Sequence, residues 1–236
     1  MAQRTKWWIA TAVIAVASYA VLWIAVALHW KWLNSIDSAV LDPLHAYGVK
    51  HPAWVLFWNV LSTVFGPVAF RLVGVVAIAV ALIRRHHLRV VLFLLTTIEL
   101  SGAVAQLGKN LAGRPRPAGA LTVAESSAFP SGHAVAVMAG VLTLLTLTAA
   151  TLTPRTLTPR GLTPRTRTAA IALGAVLVIA IGAARVILNA HYPSDVIAGW
   201  ALGYLWYLVC LLAIRPGKHH PDAASQLDPH PAQCRP

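Results

Sequence analysis

The chain has 236 residues, of which 58% are hydrophobic and only 11% charged. A soluble domain carries about 25% charge, so this composition belongs to a membrane protein. Its net charge of +12 comes from 19 Lys and Arg against 7 acids, but the basic residues sit in short segments between apolar runs, which fits anionic lipid and the positive-inside rule rather than nucleic acid.

A helix needs about 20 apolar residues to cross the hydrocarbon core. Residues 7–28 meet that length, with Trp7, Trp8 and Trp30 near the ends, where aromatic rings prefer the interface. The run reads as a retained anchor rather than a signal peptide. Between 29 and 52 the sequence is mixed. Asn34-Ser35-Ile36-Asp37 resembles a helix start, and Val40, Leu41, Leu44 and Tyr47 follow at helical spacing, so a short amphipathic helix is expected on the outer surface.

Residues 53–83 are apolar but too long for one straight span, and Gly66-Pro67 should break them. An interfacial or tilted piece up to 65 and a span over 67–83 follow from that. After the basic turn 84–89 comes a span over 90–108, which carries Glu99 at membrane depth; such acids face the bundle interior. Residues 109–130 are polar and rich in Gly and Pro, hence a loop. A fourth span is expected over 132–151.

Next, Leu-Thr-Pro-Arg recurs three times from Leu152, Leu157 and Leu162. Prolines at this spacing oppose a helix, which predicts a basic low-complexity loop. Spans five and six are expected over 169–190 and 194–214, and the proline-rich tail 216–236 is expected to be disordered. Cys210 lies in an apolar run and Cys234 in the tail, so no disulfide framework is implied.

The reading is an all-α integral membrane bundle of six transmembrane helices, a single domain over 1–215. Arg4, Lys6, the 84–89 turn, the 155–167 loop and 215–218 then share one side, which the positive-inside rule makes cytoplasmic, with both termini. The 109–130 loop and the 190–194 turn share the opposite, extracytoplasmic face.

Three stretches carry chemistry, and all three fall on that face. Lys109-Asn-Leu-Ala-Gly-Arg114-Pro115-Arg116-Pro117 holds cations at a span end, suited to an anionic group. Pro130-Ser131-Gly132-His133 precedes an apolar helix: Ser131 is a good N-cap, Gly132 admits close approach of a ligand, and the first N–H groups favour phosphate. His133 can donate a proton to a leaving oxygen. Finally, Arg185 lies inside a span, and His191 and Asp195 flank Pro193, which suits the first position of a helix. Asp195 can reach back to Nδ1–H of His191, leaving Nε2 free as a nucleophile.

Taken together, Lys109-x6-Arg116-Pro117, Pro130-Ser131-Gly132-His133 and Arg185-x5-His191-x3-Asp195 resemble the type-2 phosphatidic acid phosphatase superfamily in order, spacing and membrane placement. The spacing selects Arg116 rather than Arg114 as the motif arginine. Ala184 stands where that family usually has serine, which removes one hydroxyl contact to phosphate.

The resemblance implies roles. His191 would form a phosphohistidine, Asp195 would orient it, and His133 would protonate the leaving alkoxide and then assist water. Lys109, Arg116, Ser131, Gly132 and Arg185 would hold the phosphoryl oxygens. No cofactor and no metal is expected; the seven acids are scattered. The expected substrate is a phosphorylated membrane lipid: phosphatidic acid, phosphatidylglycerol phosphate, or a polyprenyl phosphate or diphosphate. A phosphotransferase with a non-water acceptor is the nearest rival. A non-catalytic carrier or flippase needs no nucleophile, and a haloperoxidase usually has a soluble body.

Overall fold

The computed structural model describes residues 2–84, 88–123, 126–151, 163–214 and 216. Their regular structure is helical throughout, with no strand among the described residues. Helices α1 (Ala2–Ala27), α2 (Lys31–Lys50), α3 (Pro52–Val64) and α4 (Pro67–Ile83) come first. They are followed by α5 (Leu88–Leu94), a π-helical turn (Leu95–Glu99), α6 (Ser101–Ala112), α7 (Gly132–Thr151), α8 (Pro164–Ile187) and α9 (Pro193–Ile214).

Five helical stretches are long and apolar enough to cross a membrane: Lys6–Ala27, Pro52–Ile83, Leu88–Ala112, Pro164–Ile187 and Pro193–Ile214. Gly132–Thr148 is apolar but shorter. It is also the centre of the bundle, with Val135, Val137 and Ala139 fully buried.

Small residues bring α7 and α9 together. A Cβ on Gly199 would lie 2.7 Å from the Ser131 carbonyl oxygen, and one on Gly203 would lie 2.6 Å from that of Val135. In lipid, where apolar burial drives little association, such close backbone approach is what holds helices. Beside this seam Phe70, Leu94, Ile98, Val137, Val141, Val178 and Ile181 form a core that joins α4, α5, the π turn, α7 and α8. The outward faces stay apolar, as with Trp7, Leu72 and Leu173.

The expected break at Gly66-Pro67 is present: α3 stops at Val64 and α4 starts at Pro67. Here glycine is needed for space, since a Cβ on Gly66 would meet the Ser62 carbonyl oxygen at 2.2 Å and His133 at 3.4 Å. Several boundaries differ from expectation. Helix α2 starts at Lys31, not at the Asn34–Asp37 stretch, and Asp37 is a buried residue of its body. Residue Lys109 belongs to the last turn of α6, which closes on Gly113 at φ 59, so the loop begins four residues later than expected. The third Thr-Pro-Arg repeat starts α8: Pro164 takes the first turn, where its missing N–H costs nothing, and the Thr163 hydroxyl accepts from the Thr166 N–H. The other two repeats and the tail 217–236 lie outside the described residues.

Helix direction sorts the ends. The N-termini of α4, α7 and α9 and the C-termini of α6 and α8 gather at one end of the bundle. Lys6, Arg84, Arg89, Arg165 and Arg167 lie toward the opposite end.

Candidate active site

The end of α8 builds the first half of the site. The Arg185 carbonyl accepts from the N–H groups of both Ala190 and His191, at 3.0 and 3.2 Å, and Asn189 turns the chain at φ 53. Left-handed backbone suits asparagine better than most residues. The turn is laced to the 113–131 loop: the Leu121 N–H donates to the Leu188 carbonyl at 2.9 Å, and Asn189 Nδ2 donates to the Ala118 carbonyl at 2.7 Å. Pro193 then opens α9, so His191 sits at the hinge between two helices and is only 2% exposed.

The surroundings of His191 decide its tautomer. Nδ1 lies 2.8 Å from the Ala128 carbonyl oxygen, which can only accept, so Nδ1 carries the proton. Nε2 lies 3.3 Å from Arg116 Nη1, which can only donate. Both neighbours leave the lone pair on Nε2. Burial holds the imidazole pKa down at about 4, outweighing the pull of Asp195 in the other direction.

Asp195 is placed differently from expectation. Its Oδ2 is 3.7 Å from His191 Nδ1, so it acts on the ring as a nearby charge while the Ala128 carbonyl takes the hydrogen bond. The carboxylate is occupied elsewhere. Oδ1 accepts from Arg114 Nη1 at 2.7 Å, and Oδ2 accepts from the Tyr192 N–H at 2.9 Å.

Around Nε2 lie the cations. Lys109 Nζ donates to Ser126 Oγ at 2.7 Å and to the Ser127 carbonyl at 2.9 Å. Arg116 donates to the carbonyls of Ser126 and Ala190, and burial draws its pKa down from the ordinary value while Asp195 opposes. Arg185, 5% exposed, reaches Ser62 of α3 at 3.5 Å, and its Nε has no partner. No carboxylate forms an ion pair with Lys109, Arg116 or Arg185 among the described residues. His133 stands at the start of α7, close enough to Arg185, His191, Lys109 and Arg116 for all four to act on it electrostatically.

Ser131 does not cap α7 through its side chain. The hydroxyl is fully buried and unpartnered, while the Ser131 backbone N–H donates to the Asp195 carbonyl at 2.9 Å. This joins the start of α7 to the start of α9. The Gly132 Cα faces Lys109, since a Cβ there would lie 3.8 Å from Lys109 Cε. The structure therefore gathers Lys109, Arg116, Ser131, Gly132, His133, Arg185, His191 and Asp195 at one end of the bundle. Cations without carboxylate partners, an orphan hydroxyl and an imidazole with a free Nε2, gathered in one place, suit a tetrahedral oxyanion.

Sequence reasoning missed three participants. Arg114 is nearly buried and bridges Asp195 to Asp37 of α2, with 2.7 Å contacts on both sides. Burial disfavours its charge, but the two carboxylates prevail and raise its pKa above the ordinary value. Its guanidinium also lies 4.0 Å over the Tyr192 ring. Asp37 was read only as part of a helix start. The Ala128 carbonyl carried no sequence signal, because any residue supplies one.

The chain is similar to several known proteins. Residues 89–217 match the PAP2 superfamily. A lipid A 1-phosphatase of Rhizobium johnstonii is 30% identical over 171 residues, covering 68% of this chain and 61% of the relative. Another from Rhizobium etli is 34% identical over 122 residues, covering 47% of this chain and 44% of the relative. The chain thus spans less than two thirds of the length of these relatives. The fold matches the crystal structure of a transmembrane PAP2-type phosphatidylglycerolphosphate phosphatase from Bacillus subtilis at a TM-score of 0.73 and 19% identity, covering 88% of this chain and 98% of that one. With the family match covering more than half its length and the apolar helices described above, the chain is a multi-pass helical membrane protein that belongs to the PAP2 superfamily.

Proposed function

We propose that the chain hydrolyses a lipid phosphomonoester or diphosphate through a phosphohistidine, at the extracytoplasmic membrane face. The observation that carries the reading is the His191 tautomer: a buried imidazole whose Nε2 lone pair faces the Arg116 guanidinium. In the first step Nε2 attacks phosphorus in line, an N–P bond forms and the bond to the lipid oxygen breaks. His133 gives its proton to that oxygen. In the second step His133 takes a proton from water, the water oxygen attacks phosphorus, the N–P bond breaks and inorganic phosphate leaves.

Lys109, Arg116 and Arg185 hold the phosphoryl oxygens, together with the Ser131 hydroxyl and the Gly132 N–H. These donors are already oriented before substrate arrives, which is where electrostatic catalysis draws its strength. Asp195 stabilises the imidazolium character that develops on His191. Side-chain cations take the place a metal would fill.

The relatives are named for two phosphorylated lipids, which supports this substrate class. Within it lie phosphatidic acid, phosphatidylglycerol phosphate, polyprenyl diphosphate and a phosphorylated saccharolipid. The test is phosphate release by purified protein across that panel, in EDTA, with and without lipid and sugar acceptors. Acid-labile, base-stable phosphoprotein should be trapped with wild type and absent with His191→Ala. Turnover by His191→Ala near the wild-type rate would refute the nucleophile, dependence on added Mg²⁺ would refute the metal-free reading, and phosphate passed to an acceptor instead of water would make the protein a transferase.

A further inference from the structure

Arg114 lies beside the cations proposed to bind phosphate, but both of its terminal nitrogens are taken by protein acceptors. Nη1 donates to Ser194 Oγ and Asp195 Oδ1, and Nη2 donates to Asp37 Oδ2, each at 2.7 Å. Asp37, 1% exposed, is equally committed. Its Oδ1 accepts from the Ser194 N–H at 3.0 Å, and its Oδ2 accepts from Ser194 Oγ at 2.6 Å as well as from Arg114. Ser194 therefore accepts from the arginine and donates to the aspartate, a consistent assignment of every proton. These four side chains close a network between α2, the 113–131 loop and the first turn of α9.

The network has a consequence for His191. Asp195 is its bridge to the imidazole, and Arg114 holds one carboxylate oxygen at 2.7 Å while the other stays 3.7 Å from Nδ1. Were Asp195 free, it could compete with the Ala128 carbonyl for Nδ1–H and turn the ring away from Arg116. Asp37 fixes the arginine that prevents this. Yet Asp37 lies outside residues 89–217, the part that matches the family.

We infer that Asp37 and Arg114 are positioning residues for the reaction: they clamp Asp195 at the start of α9 so that His191 keeps its Nδ1–H on Ala128 and its Nε2 free. They touch no substrate and act through Asp195. Helix α2 is thereby part of the catalytic unit and not only an interfacial cover.

Charge predicts opposite signs for the two residues. Arg114→Gln removes the cation that offsets Asp195, so the His191 pKa should rise, by about one unit. Asp37→Asn leaves more of the Arg114 charge uncompensated, so the His191 pKa should fall. The other charges facing His191 are the same in both variants: Asp195 from α9, Arg116 from the loop, Arg185 from α8 and His133 from α7.

The experiment uses the full chain in detergent micelles. The ring nitrogens of His191 are followed by ¹⁵N NMR against pH in wild type, Arg114→Gln and Asp37→Asn. In parallel, kcat and KM are measured for dioctanoyl phosphatidic acid. Expected are the two opposite shifts, and a kcat about 10- to 100-fold lower in both variants with KM within about twofold, as for a lost interaction that acts in the transition state. An unmoved His191 titration in Asp37→Asn and Arg114→Gln would overturn the inference, as would a rise in KM with kcat intact, which would make Arg114 a phosphate ligand. If Arg114→Gln does not fold, Asp37→Asn, nearly isosteric, decides alone by the sign of its shift. The kinetic arm rests on the phosphatase reading; the NMR arm does not, so wild type that releases no phosphate while the titrations move as expected would sink that reading and leave the clamp standing.

Discussion

At the residue scale, His191 behaves as a base that the protein keeps neutral. Its ordinary pKa is about 6.5, and burial lowers it to about 4. A nucleophile must be unprotonated, so the acid limb of kcat/KM should lie near pH 4 and not near 6.5. The stability consequence has the same sign. Between these values the unfolded chain binds the proton and the folded chain does not, so the folded state loses stability as pH falls from about 6.5 to about 4. For a fully buried group lowered this far that is on the order of 3 kcal/mol. An acid limb of kcat/KM at pH 6.5 or above would show that His191 is not held neutral.

Arg185 offers a second test at this scale. Its Nε is buried without a partner, and its guanidinium is a planar fork that fits two phosphate oxygens. Arg185→Lys keeps the charge and loses the fork. Turnover should fall about 10- to 100-fold, the loss of one charge-assisted hydrogen bond, and inhibition by vanadate should weaken by a similar factor, since vanadate mimics the five-coordinate transition state. Unequal losses would mean that Arg185 serves the ground state only.

At the element scale, the site depends on how closely α7 and α9 approach. The Ser131 N–H donates to the Asp195 carbonyl, and Gly199 packs one turn further along against the Ser131 carbonyl. Gly199→Ala would set a methyl 2.7 Å from that oxygen and from the Ala134 Cβ. Neither neighbour is a flexible side chain, so the helices must part. Overpacking of this kind costs about 1–3 kcal/mol. The thermal midpoint in detergent should fall by several degrees, and turnover should fall with it because Ser131 and His133 ride on α7. Unchanged turnover would show that the seam can shift without moving the site.

At the scale of the whole molecule, one set of basic helix ends lies opposite the end that holds the site. The basic helix ends Arg84, Arg89, Arg165 and Arg167 lie away from the gathered site residues. The outward orientation proposed for the site rests on the positive-inside rule applied to these helix ends. Vanadate kept outside oriented vesicles should therefore inhibit, with a cysteine label at Thr158 reporting which face is inside. Inhibition only from the labelled face would reverse the topology and with it the outer-leaflet assignment.

How much of this was legible in the sequence follows from distance along the chain. The Gly66-Pro67 break was readable because a kink is local chemistry. So were the apolar stretches, because span length is set by the bilayer. The closeness of His191 and Asp195 was readable from their separation of four residues across a helix start, but the hydrogen bond expected between them was not what formed. The π turn before Leu100 and the extension of α6 to Ala112 were not, since tertiary packing sets where a helix loosens or stops. Arg114 shows the limit best. Sequence spacing set it aside beside Arg116, and nothing local distinguishes an arginine that binds phosphate from one that binds carboxylate. Its partners lie 77 and 81 residues away, at Asp37 and Asp195. The sequence by itself determined the membrane class and most of the helical elements, because each follows from local composition and period. Only the tertiary structure decided which acceptor His191 Nδ1 takes and which charge Arg114 serves, because those choices depend on which buried groups packing brings within hydrogen-bond reach.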